Sequence, residues 1–169
     1  MKVTVFDGTT GVESFNIDLS GDIVLNAEPD QMEVPRGDAA VLSGYPAMIR
    51  TRLYPIENQM ADKLCALYTR YGSGPSTRYR DLYDLAIIVD QLPFDPAILT
   101  EALRVQQRVR RTTVPATLAE PAPGWAAAYD QQLRRTPGAR PPFTIYQTAI
   151  ALVRDAVTPA LPGREASPR

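Results

Sequence analysis

The chain has 169 residues, 44% of them hydrophobic, and a formal net charge of −1, which is enough for one compact core. It contains one cysteine and no histidine, excluding disulfide frameworks, Cys/His zinc sites and histidine general bases together. No apolar run reaches the ~18 residues of a membrane span, and the start MKVTVFDG lacks the basic and apolar regions of a secretory signal, so a cytoplasmic protein with no membrane partner is expected.

In chain order, KVTVF (2–6) and VESFNIDL (12–19) are β-branched or aromatic runs joined by DGTTG, which predicts an antiparallel hairpin. In its second strand Phe15, Ile17 and Leu19 share one face, while Ser14, Asn16 and Asp18 share the other. Asp18, near the strand end on the polar face, is a candidate metal ligand; its alternative is a solvent-side residue. Residues 20–46 are rich in Gly, Asp and Pro and read as connection, and AMIRTRLY (47–54) as one further strand.

From Ile56 the period becomes helical. Ile56, Met60, Leu64, Leu67 and Tyr71 fall within about 40° of Met60, Lys63 lies about 60° away at the flank of that stripe, and Asp62 lies opposite. YGSGPST (71–77) breaks the helix and offers Ser76 and Thr77 as N-cap oxygens for a second one, roughly 78–90. Its inner face carries Leu82, Leu85, Ile88, Val89 and Leu92. Asp81 falls about 40° from Leu85 and Asp84 about 100°, so Asp81 points inward and Asp84 only borders the core.

Asp95 and Pro96 open a third helix as N-cap and first residue. A proline-rich connector, an amphipathic segment from Trp125 and a last helix ending near 157 follow, and 158–169 reads as a disordered tail. Charge is uneven along the chain. Residues 1–34 hold seven acids against Lys2, whereas 104–140 hold Arg104, Arg108, Arg110, Arg111, Arg134, Arg135 and Arg140 against two acids. The basic end suits a polyanion; each arginine alone also fits a solvated helix surface.

A carboxylate on a buried helix face costs several kcal/mol unless paired. Lys63 is the leading partner for Asp81, with Arg78 and Arg80 as rivals. The structural alternative is that Asp81 is simply an acid in a helix's first turn, favoured there by the dipole. The loop with Ser76 and Thr77 leads into free amides that can take phosphate, yet it lacks the GxxxxGK[ST] order and also reads as a plain turn.

YPIENQMADKLCALYTRYGSGPSTRYRDLYDL, residues 54–85, resembles the central segment of the AbiEii/AbiGii nucleotidyltransferase toxins, in the subgroup reading much like YPLEDHIADKLCAxxxxxGxxPSxRYRDLxDL. The resemblance implies an α+β fold of the polymerase β-like superfamily: a truncated nucleotidyltransferase-type mixed or antiparallel sheet over 1–54, then a helical C-terminal bundle over 55–157. It further implies transfer of nucleotides from NTP, with Mg²⁺, to an RNA acceptor such as tRNA, in a toxin–antitoxin pair of abortive phage defence. Lys63 and Asp81 match the family's motif lysine and aspartate as catalytic residues, and Asp18 its third sheet carboxylate as a metal ligand. Arg78, Arg80, Ser76 and Thr77 are the implied substrate-binding residues, and an antitoxin protein is the implied partner. Family members also carry a Gly-Ser turn and a DxD pair, and this chain contains no DxD. The expectation is therefore a chain that begins after that element and is inactive or nearly so alone. Its alternative is a non-catalytic RNA- or antitoxin-binding remnant of the fold.

Overall fold

A computed structural model of the chain describes residues 1–17, 28–35, 47–72 and 74–161. Four strands come first: β1 (Lys2–Asp7), β2 (Thr10–Asn16), β3 (Asp30–Pro35) and β4 (Met48–Leu53). Five helices follow: α1 (Ile56–Tyr68), α2 (Tyr79–Gln91), α3 (Pro96–Arg110), α4 (Trp125–Arg134) and α5 (Tyr146–Val157). The class is α+β. Among the described residues the strands form two separate antiparallel pairs, β1 with β2 and β3 with β4. None of the five helices is long and apolar enough to cross a membrane.

The first hairpin turns where the sequence places it, at Asp7-Gly8, with Gly8 at φ +60°, a conformation that suits a residue without Cβ. Its alternation, however, packs no layer: Phe6, Val12 and Phe15 are 62%, 65% and 47% exposed. β3 was not expected, because 20–46 reads as connection. What makes it a strand is its partner: Glu33 stands opposite Arg50 in the register, with Arg50 Nη2 3.7 Å from Glu33 Oε1, a cross-strand charge pair. Leu19 and Asp18 lie outside the described residues.

The core is built by the helices and their connectors, from Met60 to Leu161, and includes no described strand residue. α1 lies between α2 and α3, while α5 packs on α2 and α4. Where the sequence reading extends the first helix to Tyr71, α1 stops at Tyr68 and Tyr71 is exposed. Leu92, expected inside, is also exposed, as the residue after α2.

Asp95 caps α3 as expected, its Oδ1 accepting from the Ala97 amide at 2.7 Å. The start of α5 is capped from a distance, with Asp130 Oδ1 of α4 accepting the Tyr146 amide at 2.7 Å. Tyr79, Trp125, Tyr129 and Tyr146 form one aromatic cluster with centroids 4.7 to 6.0 Å apart, each contact worth roughly 0.5–1.5 kcal/mol beyond burial. The supposed tail corrects itself at its start: Thr158–Ala160 form a 3-10 turn, and Ala160 and Leu161 are buried. Two apolar side chains with core to cover outweigh the proline signal there.

Candidate active site

Lys63 sits two turns into α1, and the loop that follows returns the chain so that α2 runs beside α1. Thr69 Oγ1 donates to the Cys65 carbonyl at 2.8 Å, tying off α1. Gly72, at φ +62°, allows the reversal. The Trp125 indole donates to the Ser76 carbonyl at 2.7 Å and anchors the loop's far end to α4.

The result is a lysine held by two carboxylates. Lys63 Nζ donates to Asp84 Oδ2 at 2.6 Å and to Asp81 Oδ1 at 3.3 Å. Arg78 Nε stands 3.1 Å from Asp81 Oδ2, near enough for an ion pair but not aligned as a hydrogen bond. The Arg78 guanidinium also lies 5.9 Å from the Tyr71 ring centre. Asp81 and Lys63 side chains are 15% and 22% exposed, Asp84 46%. Pairing of Lys63 with Asp81 is thus as expected, and Arg78 is a second partner rather than a rival. Asp84 borders the core as expected, its side chain 46% exposed, but it also takes the shorter of the two lysine contacts, which the sequence reading does not anticipate. An azimuth fixes where a Cβ points, whereas a lysine stem reaches across to either carboxylate one turn apart.

A second charged group faces the first across a cavity of about 350 Å³ lined by Tyr54, Gln59, Asp62, Lys63, Ala66, Arg78, Asp81 and Arg110. Tyr54 donates to Asp62 Oδ2 at 2.9 Å, and Arg110 Nη2 of α3 donates to Asp62 Oδ1 at 3.3 Å. Gln59 Nε2 donates to the Tyr54 carbonyl at 2.9 Å. Burial, then the hydrogen bond to Asp62 and its negative charge, push the Tyr54 hydroxyl up to about 12, so it stays a donor. Arg110 Nε is buried with no hydrogen-bond partner. Around this space Lys63, Arg78 and Arg110 are balanced by Asp62, Asp81 and Asp84, and the unpartnered Arg110 Nε is a buried donor suited to an anion.

Beyond Lys63 lies another cavity, of about 450 Å³, with Asp84, Tyr83 and Arg140 on its wall. There the Tyr83 hydroxyl accepts the Arg140 amide at 2.8 Å.

Other expected site residues are not brought to Lys63. Ser76 is buried and its Oγ accepts the Arg78 amide at 3.2 Å, so it serves the turn. It is not the N-cap of α2, and neither is Thr77: that position is Arg78. Thr77 and Arg80 are exposed, and Arg80 faces α4. Asp18 lies outside the described residues. Nor is 104–140 one basic face. Arg104 pairs with Glu101 and Arg110 with Asp62, whereas Arg108, Arg111, Arg134 and Arg135 are exposed on two helices.

Tyr54, Asp62 and Arg110 went unrecognised in the sequence. The sequence reading puts Asp62 opposite the apolar stripe of α1, and Tyr54 together with Arg110 of the docked α3 partners it there.

Mg²⁺ does not fit the donors seen here. Among the described residues no three carboxylate, Cys or His side chains converge, and the two carboxylates lining the cavity are each held by a cation.

A family model described as Nucleotidyl transferase AbiEii toxin, Type IV TA system, matches residues 4–158. No curated protein and no solved structure matches the chain significantly.

Proposed function

The chain belongs to the AbiEii nucleotidyl transferase toxin family of type IV toxin–antitoxin systems, and from that premise we propose that the Lys63 cavity clamps the triphosphate of an NTP. The nucleotidyl group then passes to a hydroxyl of an RNA acceptor such as tRNA, in the cytoplasm and in the setting of phage defence. In that transfer the acceptor oxygen bonds to the α-phosphorus, the bond to pyrophosphate breaks, and the hydroxyl proton leaves to solvent. The observation that carries this reading is Lys63 Nζ, held by Asp81 and Asp84 on the wall of a cavity that also presents Arg78 and Arg110.

The work assigned to these residues is positioning and charge. The cations would neutralise the triphosphate, and Asp81 would keep the ammonium aimed between the helices. Mg²⁺ would arrive with the nucleotide, held by its phosphates. The 169 residues contain no DxD, so this chain is assigned the binding and orientation of NTP, with turnover on its own expected to be slow.

Titration with labelled NTP tests the proposal. Wild type is expected to bind, and Lys63→Met to bind at least about tenfold more weakly, ~1.4 kcal/mol. Equal affinity in the two would overturn it. The alternative, a non-catalytic RNA- or antitoxin-binding module, draws on exposed Arg108 and Arg111. It expects salt-sensitive RNA binding, lost in the double Arg→Ala variant, with no NTP binding.

A further inference from the structure

Two more cavities continue from the Lys63 site along the start of α2. A small one of about 170 Å³ is lined by Thr77, Arg78, Arg80, Asp81 and Gln132, so it shares Arg78 and Asp81 with the Lys63 cavity. A larger one of about 440 Å³ shares Arg80 and Gln132 with the small one and adds Tyr79, Gln131 and Arg135. The three cavities are thus neighbours in a row along α2 and α4, from Lys63 to Arg135, and the two beyond Lys63 are called the furrow.

Its chemistry is uneven in a telling way. Arg78, Arg80 and Arg135 line it, while its one carboxylate, Asp81, is already engaged by Lys63 and Arg78. Between the cations stand the amides of Gln131 and Gln132, the Thr77 hydroxyl and the Tyr79 ring, which Trp125 supports at 4.7 Å. An NTP occupying the Lys63 end engages Arg78 at the junction and leaves Arg80, Arg135 and the groups between them unused. Successive cations serve a chain of phosphates, and amides with a backed aromatic ring serve bases and ribose hydroxyls. An acidic peptide would use the guanidinium groups alone.

We propose that this furrow seats the single-stranded end of the acceptor RNA, with Arg80 and Arg135 on its phosphates and its terminal hydroxyl delivered to the Lys63 cavity. The inference rests on the nucleotidyl-transfer reading for the identity of the acceptor, and on the furrow itself for its place.

The test is filter binding of a labelled, unstructured oligoribonucleotide across a range of salt. The Arg80→Ala, Arg135→Ala double variant is expected to bind at least about tenfold more weakly, with a salt slope shallower by about 1.4, the loss of two single-strand phosphate contacts. Both arginines are exposed, and an unchanged thermal melt would show that the fold is intact. Unchanged affinity and slope would overturn the proposal. So would displacement of the RNA by polyglutamate of equal charge, which would mark the furrow as an acidic-protein surface. NTP titration separates the two readings, because Arg135→Ala should leave NTP affinity unaltered. If wild type binds no NTP while the double variant still loses RNA, the clamp falls and the furrow stands. If NTP binds and RNA ignores the furrow, the furrow alone falls.

Discussion

At the scale of single residues, the centre of the molecule is one ammonium shared by two carboxylates of the same helix. Distance favours Asp84, at 2.6 Å against 3.3 Å for Asp81, but exposure favours Asp81, at 15% against 46%. Water screens the exposed contact, so exposure should decide. Asp81→Ala is expected to cost about 1–3 kcal/mol and Asp84→Ala about 0–1 kcal/mol, measured by urea unfolding; the reverse order would show that distance governs here. Across the cavity, Asp62→Ala frees Arg110 and removes a negative charge beside the phosphates, so NTP binding should tighten, whereas Arg110→Ala should weaken it several-fold. In a double-mutant cycle, Asp62→Ala and Arg110→Ala should then be far from additive. Lys63 and Asp81 were legible because both lie within one helix–loop–helix of regular period, where position along the chain gives direction. Arg110 was not, since it meets Asp62 from 48 residues away, a pairing that only the docking of α3 creates.

At the scale of elements, α1 shows how much an apolar stripe leaves out. Besides Met60, Leu64 and Leu67, the helix buries Asn58, Ala61, Cys65 and Ala66. These small or polar residues form a second inner face, against which α3 rests. A reading that weighs large apolar residues sees one buried face and calls the rest outer. The small side chains are what let α3 come close enough to bring Arg110 to Asp62. Ala61→Leu should therefore overpack that contact and lower stability by about 1–3 kcal/mol, read as a drop in urea midpoint. Val12→Thr, on an exposed strand, should leave the midpoint unmoved. α3 itself was fully legible at its start, where Asp95 and Pro96 act locally. β3 was hidden because its evidence, the opposition of Glu33 to Arg50, belongs to another strand.

At the scale of the whole molecule, burial sets an alkaline limit. It pushes the Cys65 thiol up to about 12 from 9.0 and the Tyr54 hydroxyl up to about 12 from 10.0, and raises Tyr68, Tyr129 and Tyr146 as well. The fold thus favours the protonated forms. Their contribution is complete below the ordinary values of the unfolded chain and disappears as pH climbs through the raised ones. Urea midpoints should be level near neutrality and fall steadily from about pH 9 toward 12; a midpoint that holds constant to pH 11 would refute the assignment. The α+β class and the helical bundle were readable from the change of period at Ile56. The separation of the strands into two pairs was not, because alternation records which residues share a face, and not whether anything covers it. That uncovered state has a kinetic meaning. With no described strand residue in the core, breaking a hairpin costs the helices nothing. Amide hydrogens of β1 to β4 should therefore exchange with solvent through local openings, while those of Leu64, Leu85 and Ile150 wait for global unfolding. One chain would then keep two clocks, and a mutation such as Ala61→Leu should speed only the slow one.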